Sequence, residues 1–300
     1  MVGRWQGAIR AFFGLSTLLL LASTPVSPQT IGFLALAEGN VSLIRGASAY
    51  GVSEGVRIQE GDILATAEKS QAQLQLADGT LLNLGPATRF MLAGFSASRG
   101  EAEAAMLSGW LKFSQKKSNP PRPYRIWLPN AQVTGEEATA VLHAEAGLAE
   151  AFVESGSIKF AELREKGAPA SPLVARGGEF VRLKVGQAVA SAPRAPLDFI
   201  NAMPRHFKDP LPLVADKFKD KRVEAKHEHE VTYAEVEDWL KANPSVRKGF
   251  VKRFQARARD PEFRSALIKN LREHAEWDRT LFPQKYEKKE KEEPSRVTPK

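Results

Sequence analysis

The Asp78-Gly79 pair constrains this chain more than any other dipeptide, because it stands between two runs that both read as strands. Residues 71–76 alternate, with Ala72, Leu74 and Leu76 on one face and Gln71, Gln73 and Gln75 on the other. That is the period-2 pattern of a strand with one face buried and one in water. Asp-Gly predicts a two-residue type I′ turn, whose central residues both need positive φ. Residues 80–84 then return as the second strand, until Pro86 removes a ladder donor. The same grammar runs along the chain on both sides. Residues 40–45 alternate between Gly39 and Gly46, and Glu60-Gly61-Asp62 turns into a strand at Ile63. Residues 124–128 alternate again, and residues 149–160 predict a second hairpin with its turn at Ser155-Gly156. Residues 173–185 hold one more strand pair around Arg176-Gly177-Gly178. A faint echo between residues 64–76 and 128–142 suggests stacked β-layers.

The N-terminus predicts a targeting segment. Arg4 and Arg10 precede an apolar run over residues 11–22, and Pro25 and Pro28 follow it. A run of ~12 apolar residues is short for a spanning helix of ~20 and right for a secretory signal. Residues 1–29 are therefore read as a signal peptide and the rest as exported to the periplasm, with an uncleaved inner-membrane anchor as the alternative. The chain holds no cysteine, which excludes disulfides, thiolate metal sites and cysteine nucleophiles. Its formal charge of +8 lies mostly beyond Pro204. A basic surface favours anionic partners, and export disfavours nucleic acid among them.

Residues 61–66 (GDILAT), residues 70–84 (SQAQLQLADGTLLNL) and Pro86, with the opening Glu38-Gly39-Asn40-Val41, resemble the core signature of the FecR-like domain family. The family-motif residues are Gly39, Val41, Gly61, Asp62, Thr66, Asp78, Gly79 and Pro86. Glu154-Ser155-Gly156-Ser157-Ile158 fits a later strand of the family. Leu128 stands where the family usually has a threonine, and Gly135-Glu136-Glu137 stands near the place of its Arg-Gly-Thr. The resemblance covers residues 38–189. It implies a periplasmic interaction and sensing domain. The best-understood members join such a domain to a membrane span and a cytoplasmic anti-sigma segment, and read an outer-membrane receptor. With about ten residues before its apolar run, this chain is expected to lack the cytoplasmic part.

The expected architecture is thus mainly β, sandwich- or solenoid-like, over residues 30–190, followed by a small α-helical C-terminal domain. Between them residues 191–230 read as a proline-rich polar linker. In residues 231–283, Thr232 with Glu235 forms a capping box, and Asp260-Pro261 places an N-cap before a first-turn proline. Val236, Trp239, Leu240, Phe250, Phe254, Phe263 and Leu267 fall on apolar stripes. Residues 284–300 are charged, nearly balanced and read as a disordered tail.

Few constellations carry chemistry. Arg247, Lys248, Lys252, Arg253, Arg257 and Arg259 form a candidate anion-binding face for peptidoglycan or another anionic polymer, or else a plain solvated face. His227 and His229 would share one face of a strand and are weak candidates for a metal site, which wants more ligands than these two. Asp62 and Asp78 sit beside glycines, where turn chemistry accounts for them. His143 reads as structural, and Trp110, Trp127, Trp239 and Trp277 as core. No catalytic pair, phosphate loop or cofactor motif emerges. The expected function is a non-enzymatic module that binds an envelope protein partner, with a sheet edge as one route to capture by strand addition.

Overall fold

A computed structural model describes residues 30–95, 101–115, 122–164, 167–209, 215–218 and 223–286. The signal-peptide reading of residues 1–29, the loop at 96–100 and the tail beyond Tyr286 lie outside the described residues. The fold is mainly β: one large sheet that does not close into a barrel, followed by short helices.

The first part of the sheet is made of short strands: β1 (Thr30–Glu38), β2 (Val41–Arg45), β3 (Ser48–Gly51), β4 (Arg57–Gln59), β5 (Ile63–Thr66), β6 (Gln71–Leu76), β7 (Leu81–Leu84) and β8 (Arg89–Phe95). Three long strands follow with a short one among them: β9 (Ala102–Ser114), β10 (Tyr124–Trp127), β11 (Ala131–Glu145) and β12 (Leu148–Glu162). The last strands are β13 (Leu173–Arg176), β14 (Phe180–Lys184), β15 (Ala190–Ala192) and β16 (Lys226–Glu230).

The long strands organise the rest because each changes partners midway. The first half of β9 lies between β8 and β10, and its second half between β7 and β11. β11 and β12 do the same, with the register broken between Glu136 and Ala140. The sheet therefore folds into two leaves that share these strands. One leaf carries β16, β3, β2, β5, β8, β10 and β13, and the other β4, β1, β6, β7, β14 and β15. The bends fall at Gly109 and Gly156, with φ of 90° and 74°. A Cβ on either would stand 2.4 Å from the neighbouring backbone, at Thr88 and Glu137 respectively, so only glycine fits. Ser155-Gly156 is accordingly a bend inside one strand, and the hairpin expected there is absent.

Period 2 then sorts the apolar side chains into three layers. Leu43, Leu64, Phe90, Leu92, Leu74, Leu82, Leu111, Phe113 and Leu142 point between the leaves and form the main core. Their neighbours Ile44, Ile63, Met91, Ala105 and Trp127 point outward from the first leaf. Trp110, Val141 and Phe180 point outward from the second. Both outer faces are covered. The stretch read as a linker holds β15, α1 (Leu197–Ala202), a 3-10 turn at Arg205–Phe207, α2 (Ala215–Phe218) and β16. Phe199, Met203 and Phe207 from it seal the second leaf, and β16 pairs with β3. Lys112 on β9 donates to the carbonyl of Phe207 at 2.6 Å and pairs with Glu154 at 3.0 Å. Gln73, Gln75 and Asn83, on the polar face of the central hairpin, are buried.

That hairpin forms where expected but with a different turn. Leu76 N–H donates to Thr80 O and Gly79 N–H to Leu76 O, which leaves a three-residue loop with positive φ at Gly79 alone. This is the bulged alternative to the two-residue turn.

The first leaf is covered by α3 (Tyr233–Lys241), α4 (Phe250–Phe254), α5 (Pro261–Lys269) and α6 (Asp278–Leu281). None exceeds nine residues, and isolated helices shorter than ~12–15 residues are marginal in water. Packing holds them. Trp239, Phe254, Phe263 and Trp277 are fully buried against Ile44, Ile63, Met91 and Trp127, each worth roughly 1.5–3 kcal/mol. The two start signals read from sequence are present: Glu235 accepts from Thr232 N–H at 2.7 Å, and Asp260 accepts from Phe263 N–H at 2.9 Å.

His274 is wholly buried beside α3, with its Nε2 3.1 Å from the Tyr233 hydroxyl. Burial holds its pKa below the ordinary histidine value of 6.5. The unfolded chain therefore takes up this proton first, so stability falls as pH drops below about 6.5. Urea midpoints measured at pH 7.5 and 5.5 should show that loss, and His274→Gln should flatten the slope between them.

Candidate functional site

The family-motif residues sit at joints of the sheet. At the first, Thr66 on β5 donates to Gly85 O at 2.6 Å and accepts from Thr88 N–H at 3.0 Å. The Thr88 hydroxyl donates to Gly85 O and accepts from Trp110 N–H at 3.0 Å. Pro86 sits inside this knot, between the strand it ends and Ala87, which has φ of 51°. Asp78 closes the hairpin by accepting from Thr80 N–H at 3.0 Å, and its second oxygen accepts from the Tyr124 hydroxyl at 2.6 Å. Burial, with the Asp78 charge beside it, pushes the Tyr124 phenol well up, so it stays a donor. Gly39, Gly61 and Gly79 all have positive φ, and Val41 is core.

The second joint is Asp62, and turn chemistry is only part of its role. The carboxylate is 1% exposed and accepts from Arg45 Nε at 2.9 Å and Nη2 at 2.6 Å. It also accepts from Gln59 N–H at 2.8 Å, while Arg45 Nη2 donates to Arg57 O at 2.8 Å. Asp62 N–H donates to Gln59 O at 3.2 Å. Arg57 and Gln59 are the two ends of β4, an edge strand bonded on its inner side to β1. The ion pair thus satisfies backbone groups of β4 that point away from the sheet.

The basic cluster divides. Arg253 on α4 donates from Nη2 to Ile44 O at 3.0 Å, from Nε to Gly46 O at 2.7 Å and from Nη1 to Gly61 O at 2.5 Å. Burial pushes its pKa down to about 10, partly offset by the Asp62 charge. Arg257 donates to Val231 O at 2.9 Å, and Arg247 donates to Leu240 O and pairs with Glu276 at 3.0 Å. These three guanidiniums hold backbone rather than solvent anions. Lys248, Lys252 and Arg259 are exposed. A cleft of about 630 Å³ opens along the seam, lined by Gly61, Met91, Lys248, Phe250 and Arg253 among others.

His227 and His229 do not share a face. A bulge at Glu228 separates them in β16, so that His227 lies edge-on to Tyr50 at 5.4 Å and His229 reaches Glu235 at 2.8 Å. Burial alone would push the Glu235 carboxyl up, but hydrogen bonds from Thr232 and His229 hold it below the usual carboxylate range. Among the described residues no three His, Asp or Glu side chains stand together as a metal site needs. His143 is structural in its geometry: it stacks on Trp110 at 4.0 Å and meets Glu150 at 2.8 Å, and Glu150 in turn pairs with Arg182. Arg182 also bonds Asp198 at 2.8 Å, which fastens α1 to the second leaf.

The other edges are protected as well. Glu179 occupies the outward side of Arg176 on β13, accepting its N–H at 2.7 Å and donating to its carbonyl at 2.9 Å. β15 is three residues long, and all five residues of β16 are exposed and charged or histidine. Charge and bulges on an edge discourage strand addition.

Residues 62–159 match the family model described as FecR protein. Two crystal structures of a candidate anti-sigma factor from Parabacteroides distasonis align at TM-scores of 0.38, with 16% and 15% identity, over 44% of this chain. The chain spans 59% of the length of those solved chains. No curated protein matches the sequence.

Replacing Asp62 by Asn leaves Arg45 without its counter-charge in a largely buried setting. The expected cost is about 3 kcal/mol, read from urea unfolding, and the pair Arg45→Met with Asp62→Leu should recover part of it.

Proposed function

From the FecR domain carried by residues 62–159, we propose that this chain is an exported regulatory module that acts by binding an envelope protein, without catalysis. The family match carries the reading. The Arg4, Arg10 and residue 11–22 pattern supports export. The paired state of Asp62, Asp78, Glu150 and Glu235 supports a structural use of the acids. With the sheet edges capped in the closed molecule, the first contact with the partner falls on a face or a loop cluster. The exposure of Lys248, Lys252 and Arg259 favours a second reading, attraction to an anionic cell-surface polymer.

Two measurements separate these. A tagged chain fractionated from cells should appear in the envelope or periplasm in its mature form; recovery only in the cytoplasm would overturn the proposal. Photo-crosslinking in that fraction should capture a discrete protein, and the capture should survive Lys248→Glu with Lys252→Glu. Loss of capture in this variant, with sedimentation on peptidoglycan that weakens as salt rises, would favour the polymer instead.

A further inference from the structure

Three contacts place the closure of the β4 edge under the control of a helix far along the chain. The first is the ion pair itself, in which Arg45 and Asp62 hold Arg57 O and Gln59 N–H. The second is Arg253, whose three bonds go to Ile44, Gly46 and Gly61. Ile44 and Gly46 flank Arg45, and Gly61 precedes Asp62, so one side chain from α4 fixes the backbone on both sides of the pair. The third lies at the other end of β4, where Val56 bridges to Val223 and the Phe218 ring packs on Phe33 at 5.6 Å. Residues 218 and 223 lead directly into β16 and the helices. Every one of these outer contacts therefore comes from the C-terminal third or is braced by it.

We infer that Arg253 couples docking of the helical unit to closure of the β4 edge, so that an extended segment of a protein partner gains that edge only when α4 lifts. This rests on the reading of the chain as a partner-binding module. The geometry makes the coupling steep. A guanidinium fork engaged by three carbonyls cannot be loosened at one without losing alignment at the others. Once the hairpin tip at Gly46 and the turn at Gly61 relax, Arg45 and Asp62 move apart and three outward groups of β4 lose their partners: Arg57 O, Gln59 N–H and Gln59 O. Those are the groups a partner strand would take. The cleft beside Gly61, Gly249 and Phe250 opens this same seam to solvent, which gives a partner a place to enter before the helix moves. Coupling of this kind is reciprocal: opening β4 should weaken the hold on α4.

Amide exchange on the full chain tests the coupling without a partner. Arg253→Met should raise exchange at Gln59 and Asp62 by about tenfold or more, while the hairpin amides of β6 and β7 stay protected. Arg45→Met should raise exchange at the same two amides and also in α4, which a purely local role for Arg45 would not produce. Unchanged protection of Gln59 in Arg253→Met, or loss of protection spread equally over β6 and β7, would overturn the proposal. A photo-crosslinker at Gln59 reads the partner separately. If Gln59 opens in Arg253→Met and no envelope protein is captured there, the coupling stands and the partner-binding reading of this edge fails.

Discussion

An open sheet has to place the backbone donors and acceptors of its outermost strands somewhere, and most of the unusual contacts here answer that need. At β4 the answer is an ion pair, with Arg45 and Asp62 standing where another strand would be. At β3 it is a charged, bulged strand supplied from residues 226–230. At β13 it is the Glu179 side chain. A buried ion pair is a costly way to gain stability. It is a direct way to occupy a carbonyl and an N–H that point to solvent.

The outer faces pose the same problem in apolar form. Strands that alternate between two buried faces need cover on both sides of the sheet, and the C-terminal third supplies it. The first leaf receives α3 to α6 and the second receives Phe199, Met203 and Phe207. The helices and the sheet share one core, to which Trp239 and Trp277 belong together with Ile63 and Met91. Arg89 strengthens the joint by donating to Glu235 O at 2.6 Å. The helical unit is thus built onto the β domain rather than tethered beside it.

Local chemistry was legible in the sequence wherever it was decided within a few residues. The β-rich class, the hairpin at Asp78-Gly79, the capping box at Thr232 and the proline start at Asp260 all depend on near neighbours, and all are present. Longer-range features were not. Ser155-Gly156 looks like a turn because a bend within a strand uses the same residues as a turn between strands. Gln73 and Gln75 look solvated because nothing near them announces that their face is covered. Asp62 looks like a turn residue because its partner Arg45 lies on another strand. Arg253 looks like a surface charge because helix periodicity records position and not the carbonyls that await it 192 residues or more upstream.

That last separation has a consequence for how the molecule is made. The carbonyls of Ile44, Gly46 and Gly61 leave the ribosome long before Arg253 does. At chain growth of ~5–20 residues per second the interval is on the order of 10–40 seconds. Throughout it, the hairpin tip and the turn beside β4 lack their guanidinium, and β3 lacks β16. An unfinished chain therefore carries a bare edge at β3 and, at β4, an ion pair without its brace, and a chaperone that holds it unfolded until its last hundred or so residues arrive would spare it from pairing with another copy.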